Sequence, residues 1–75
     1  MTPVPVPQLG NEITEAEVTE WLRSDGDSVE KGEPIVSVTT TKMAIEIEAP
    51  VAGTLHIRIP EGEIAGVGAV LAEIA

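Results

Sequence analysis

The chain has no cysteine, so neither a disulfide framework nor a thiolate metal site is open to it. It has no phenylalanine or tyrosine and a single tryptophan, Trp21; any core must come from Val, Ile, Leu and Ala. Cations are scarce: four lysines and arginines face thirteen acids, for a formal charge of −9. With no basic cluster to override that charge, nucleic acid is an unsuitable partner. No apolar run reaches the length of a membrane span, and the amino terminus lacks a charged segment followed by an apolar one, so neither a membrane anchor nor secretion is expected. The expected compartment is the cytoplasm of a bacterium, with the mitochondrial matrix left open. Seventy-five residues allow one domain, residues 1–75, with a small core.

What is present is a succession of short strand signals. Pro3-Val4-Pro5-Val6-Pro7 alternates proline with valine, and proline cannot donate to a ladder, so this piece reads as an extended lead-in or an edge strand. Gln8-Leu9-Gly10-Asn11 reads as a turn. From Glu12 to Glu20 a helix competes with a strand. The apolar positions Ile13, Val18, Trp21 and Leu22 make no clean helical stripe, and the composition of Val18–Leu22 favours a strand ended by Ser24-Asp25-Gly26-Asp27. Further strands are expected at Ile35–Thr40, Ala44–Glu48, Leu55–Ile59 and Val70–Ile74.

The stretch from Val36 to Glu48 organises the rest. Folded about the Thr41–Lys42 bond, Val38 falls opposite Ile45 and Val36 opposite Ile47. These four β-branched residues then share one buried face of an antiparallel hairpin, with Ser37 and Glu46 on the solvent face. Thr41 and Lys42 become the two central turn residues. Neither suits that role, which favours Asn-Gly, Asp-Gly or Gly-x. A lysine lifted clear of both strands is placed for exposure rather than for turn-making.

The two halves of the chain resemble each other. Asp25–Val38 aligns with Glu61–Ile74 through a shared frame: acid-Gly-acid, a small apolar residue, a second glycine six places after the first, then a strand. Upstream, Ala16-Glu17-Val18 matches Gly53-Thr54-Leu55 only after a one-residue shift. Two similar halves of short strands, with no helix to cover a face, must pack sheet on sheet. The hairpin tipped by Lys42 joins the halves. Lys31, the other lysine, aligns with Val67 in an ordinary turn and reads as a solvated loop residue.

No enzyme active site assembles from these residues. His56 is the only histidine and sits inside an alternating strand, with no Asp or Ser placed to form a triad. Asp25-Gly26-Asp27 opens like a calcium loop, but Val29, Glu30 and Val36 stand where that loop needs a ligand, its glycine and its closing Glu. No catalytic residue and no metal ligand is therefore expected. The glycines punctuate turns and open no helix, so they form no phosphate cradle. One exposed primary amine on a rigid projection remains. It suits a modification site better than a catalytic lysine, which needs burial to lower its pKa.

At this point the residues resemble the biotinyl/lipoyl attachment domains, and among them the lipoyl domains of 2-oxo acid dehydrogenase acyltransferases. Val6-Pro7-Gln8-Leu9-Gly10 looks like the opening Pro-x-Leu-Gly of that family. Val18–Leu22 and Gly26–Pro34 follow it closely, and Thr41-Lys42-Met43 with Glu46–Leu55 matches the attachment hairpin and its exit. The resemblance implies an all-β flattened barrel of two four-stranded antiparallel sheets with pseudo-twofold symmetry. It also implies lipoic acid held as an amide on Lys42, with Thr41, Met43 and Glu46 as recognition residues. Two departures bear on the prosthetic group. Lipoyl domains usually carry Asp before the lysine and Ala or Val after it, whereas biotinyl domains usually carry Met on both sides. Thr41 fits neither pattern and Met43 leans towards biotin, while the opening motif and Trp21-Leu22 lean towards lipoyl, and these longer matches favour lipoyl.

The implied role is a non-catalytic carrier whose arm is served by several enzymes in turn. These are a thiamine-dependent 2-oxo acid decarboxylase, an acyltransferase core, a dihydrolipoyl dehydrogenase and a lipoate ligase. The isolated domain is expected to be a monomer. A biotin carboxyl carrier is the alternative within the carrier class, and an unmodified β-sandwich interaction module the alternative outside it. Glu12, Glu15 and Glu17 are expected on a loop near the tip, as part of an acidic surface that partners read.

Overall fold

In a computed structural model, which describes residues 1–8, 10, 13–41 and 43–75, the chain forms eight strands. They are β1 (Thr2–Pro5), β2 (Glu15–Trp21), β3 (Ser28–Val29), β4 (Pro34–Thr39), β5 (Ala44–Glu48), β6 (Gly53–Ile57), β7 (Ile64–Gly66) and β8 (Val70–Ile74). The segment where helix and strand compete is strand: β2 takes up Glu15–Trp21. Among the described residues no helix is long and apolar enough to cross a membrane. Of the opening motif, Leu9 lies outside the described residues, as do Asn11 and Glu12.

The strands make two antiparallel four-stranded sheets, in the orders β1-β8-β6-β3 and β5-β4-β2-β7. Replacing each strand by the one four places on turns the first order into the second, which is the pseudo-twofold implied by the repeat. The proline-alternating lead-in is indeed an edge strand, β1, paired with β8 from Thr2↔Ile74 onward. The first and last strands therefore lie side by side, as β4 and β5 do in the other sheet.

Equivalent residues do equivalent work. Buried pairs 36 positions apart include Ile35 and Leu71, Val36 and Ala72, Val38 and Ile74, and Val29 and Ala65. Gly26 and Gly62 hold φ of 88° and 87° in matching turns, a conformation that glycine adopts without strain. The acids beside them also match. Asp25 Oδ1 accepts from Ile57 N at 2.8 Å, and Glu61 Oε1 accepts from Trp21 N at 2.9 Å. The acid-Gly-acid frame is thus a strand-end cap rather than a cation loop.

The one-residue slip in the repeat has a structural cause. Along β2 and β4 the register runs Val18↔Val38 and then Glu20↔Ser37, so Thr19 is an extra residue. Along β6 and β8 it runs Leu55↔Ile74, His56↔Glu73 without interruption. A bulge at Thr19 accounts for the offset of 37 before it and 36 after it. A second, duplicated irregularity lies between Pro34 and Val36 in β4 and between Val70 and Ala72 in β8, opposite Pro5 and Val4. There Ile35 and Val36, like Leu71 and Ala72, are consecutive and both buried, which regular alternation forbids.

Lys31 sits exposed in a turn, as expected. His56 is half-buried and pairs in register with Glu73. Trp21 is half-buried against the core and donates its ring N–H to the carbonyl of Ile59 at 2.9 Å. The sequence-based face assignment needs one correction. Val36 and Val38 are fully buried, but Ile45 and Ile47 are only half-buried, because β5 is an edge strand with a neighbour on one side. Across from them Glu46 is exposed, whereas Ser37, on an inner strand, is half-buried.

Candidate functional site

Val36-Ser37-Val38-Thr39 is β-branched at three of four positions, which suits a pleated, partly buried surface. It pairs with β5 in the expected register: Val36↔Ile47, Ser37↔Glu46, Val38↔Ile45 and Thr39↔Ala44. Beyond Thr39 one more rung closes the hairpin. Thr40 N donates to the Met43 carbonyl at 2.7 Å. Met43 N donates to Thr40 Oγ1 at 3.1 Å, and that hydroxyl donates to the Met43 carbonyl at 3.2 Å. The threonine side chain reinforces a turn that lacks the usual Asn-Gly chemistry. Residues 41 and 42 are the two that connect this rung. Lys42 itself, the predicted attachment residue, lies outside the described residues.

The other predicted recognition residues are placed. Thr41 is exposed, Met43 is 46% exposed, and Glu46 stands exposed on the outer face opposite Ser37. Glu15 and Glu17 are near the tip but belong to strand β2 rather than to a loop. Pairing with β7 at both residues, and with β4 at Glu17, fixes their direction more firmly than a loop would.

Next to the tip lies an open cleft lined by Glu15, Ala16, Glu17, Ile64 and the run Thr39-Thr40-Thr41. In-register pairs carry one outer-face row across the sheet: Ala44, Thr39, Glu17 and Ile64. Thr39 is held there by a 2.6 Å hydroxyl contact with Thr19, the bulged residue. Ile64 is 63% exposed. Sequence reasoning missed it, although the repeat held a signal: its counterpart, Ser28, is polar and exposed.

Among the described residues no lysine or arginine lines the cleft, and its two glutamates make it acidic. Both arginines are engaged, Arg23 with Glu33 and Arg58 with Glu73. Glu33 is held below the ordinary carboxylate range, first by the backbone N–H of Glu30 and then by the hydrogen bond from Arg23; burial opposes them, and the charge of Arg23 adds the smallest lowering. The surface beside the tip combines exposed carboxylates with one exposed branched apolar side chain. It can present a side chain and be read by other proteins.

Comparisons with known proteins agree with this geometry. The family model described as "Biotin-requiring enzyme", the biotin–lipoyl model, matches residues 2–74. The acetyltransferase component of the pyruvate dehydrogenase complex of Corynebacterium glutamicum is 46% identical over 74 residues, covering 97% of this chain and 11% of that protein. The succinyltransferase component of the 2-oxoglutarate dehydrogenase complex of Staphylococcus saprophyticus is 41% identical over 75 residues, covering 99% of this chain and 18% of that protein. The chain thus spans less than a fifth of the length of these relatives. The solution structure of the lipoyl domain of the 2-oxoglutarate dehydrogenase complex from Azotobacter vinelandii superposes with a TM-score of 0.81 at 25% identity, covering 100% of this chain and 96% of that one. From its family match, its two-sheet fold and these relatives, the chain belongs to the biotinyl/lipoyl attachment family and within it is most like the lipoyl domains of 2-oxo acid dehydrogenase acyltransferases.

Proposed function

We propose that this chain is a lipoyl carrier domain, with lipoic acid joined through an amide to Nζ of Lys42. The observation that carries the reading is the Thr40–Met43 rung, which leaves a two-residue connection containing Lys42 at the end of a rigid hairpin. The residues fit the group. Among the described residues the rung's bonds run between Thr40 and Met43, and Lys42 brings the primary amine that an amide needs. Once bound, the group supplies redox and acyl-transfer chemistry through its dithiolane. The protein carries the arm's root on the hairpin, beyond the Thr40–Met43 rung, and offers Thr41 and Met43 to the ligase. It also surrounds the root with an acidic face, Glu15, Glu17 and Glu46, that partners recognise.

By this reading the domain serves a 2-oxo acid dehydrogenase complex in the bacterial cytoplasm. It receives an acyl group from the thiamine-dependent decarboxylase, delivers it to the acyltransferase core and is reoxidised by dihydrolipoyl dehydrogenase. A carrier visited by three enzymes in turn needs modest affinity for each and partly electrostatic selectivity. The exposure of Met43 favours one second reading, a biotin carboxyl carrier.

Acyl transfer tests the proposal. The lipoylated domain is incubated with a 2-oxo acid decarboxylase and either pyruvate or 2-oxoglutarate, and its intact mass is followed. One of the two substrates should add its acyl group to the lipoylated form and neither should add one to the bare form. A lipoylated domain that accepts no acyl group from either pair would contradict the reading.

A further inference from the structure

The cleft beside the tip has features that presentation of an arm does not require. Thr41, which is bonded directly to Lys42, is one of its lining residues. Across the sheet from it, Ile64 places a branched apolar side chain 63% in water, where the repeat has a serine at the equivalent site. Exposed apolar surface of this kind gains free energy when something apolar covers it. Ala16 lines the cleft from between Glu15 and Glu17 while belonging to the core, and the hydroxyls of Thr39 and Thr40 are already turned to partners within the hairpin and β2. An anionic occupant is disfavoured, because Glu15 and Glu17 flank the site and no cation is among its described lining residues.

We propose, on the reading that Lys42 carries the lipoyl group, that this cleft is a resting place for the arm itself: its apolar end folds back over Thr41 and lies against Ile64 between enzyme encounters. The oxidised arm is neutral and largely hydrocarbon, which meets both demands of the site. Its span also suffices. From β4 across β2 to β7 is two strand spacings, roughly 10 Å, less than the lysine stem and the acyl chain extend together. Tethering helps further, because a linked group meets its site at a high effective concentration, so a weak contact is enough to populate it. A resting arm is removed from water and from side reactions, and a partner draws it out by offering a better apolar channel.

The test compares the unmodified and lipoylated domains by NMR, after intact mass has established that the group is attached. A domain that a lipoate ligase cannot load would sink the carrier reading on which this proposal rests. With the group attached, the Ile64 methyl signals and the Ala16 and Thr40 amides should shift along with the neighbours of residue 42. In the Ile64→Ser variant, the shifts at Ala16 and Thr40 should shrink by about threefold or more, because losing the apolar wall moves the resting equilibrium by up to an order of magnitude. Ile64→Leu should keep them. A loaded domain whose shifts stop at residues 41 and 43, or whose Ala16 shift is indifferent to Ile64→Ser, would overturn the resting place and leave the carrier role standing.

Discussion

Single residues at the tip and on the outer face carry the functional reading, and each makes its own demand. Glu46 projects from β5 beside the tip, and Glu46→Lys should slow acylation by the decarboxylase at low salt, with the effect fading as added salt screens it. An equal rate at low ionic strength would reduce Glu46 to part of a solubilising coat. Glu33 answers a different question. Its carboxylate accepts from Glu30 N at 2.9 Å and pairs with Arg23, which lowers its pKa in the folded state. Its contribution to stability is therefore present above the unfolded value and is lost as pH falls through the folded one. A carboxyl titration followed by NMR should place its midpoint below the ordinary glutamate range, and Arg23→Ala should move that midpoint upward. No movement would leave the Glu30 hydrogen bond as the whole cause. Of these residues, Thr41, Met43 and Glu46 could be expected from the sequence to be exposed near the tip, and they are exposed. Ile64 could not, because its exposure depends on β7 lying at a sheet edge, which local pattern does not encode.

The elements were more legible than their irregularities. Alternation and cross-strand matching in Val36–Ile47 gave the register of the β4–β5 hairpin, because a slip of one residue would turn every valine outward. Val38 is the centre of that argument, fully buried opposite Ile45. Val38→Ala should cost about 1–3 kcal/mol in urea unfolding, from lost burial and a residual cavity; a loss below measurement error would contradict its place in the core. The bulges at Thr19 and at Ile35 were hidden, since an extra residue breaks the period on which strand reading depends. Nor could the sequence show why Gly53 is glycine. A Cβ there would stand 2.4 Å from the Ala75 carbonyl oxygen and 2.7 Å from Ile74 Cγ2. That oxygen cannot retreat without breaking its bond from Thr54 N. Gly53→Ala should lower stability by about 1–3 kcal/mol through overpacking, whereas a neutral result would mean that the end of the β6–β8 ladder yields easily.

At the scale of the whole molecule, one pattern used twice explains most of the fold. The repeat of Asp25–Val38 in Glu61–Ile74 was visible because its turns need glycine at matching places, and the two sheets follow from it strand for strand. The symmetry is what makes the tip distinctive. Its pseudo-equivalent is the place where the first and last strands lie together, so the fold offers one hairpin of this kind and the sequence puts a lysine in it. What symmetry does not determine is the group on that lysine, because the ligases that load such a tip read its immediate neighbours. Thr41 supplies no carboxylate, and Met43 supplies one of the two methionines common around a biotinyl-lysine. The decisive measurement gives the unmodified domain separately to a lipoate ligase and a biotin ligase, each with its substrates, and reads intact mass with a peptide map of residue 42. The domain should gain one lipoyl group on Lys42, none in Lys42→Arg, and little biotin; Thr41→Met should raise biotinylation and Thr41→Asp suppress it. Efficient biotinyl transfer without lipoyl transfer would contradict the account and move the chain to the carboxyl carriers.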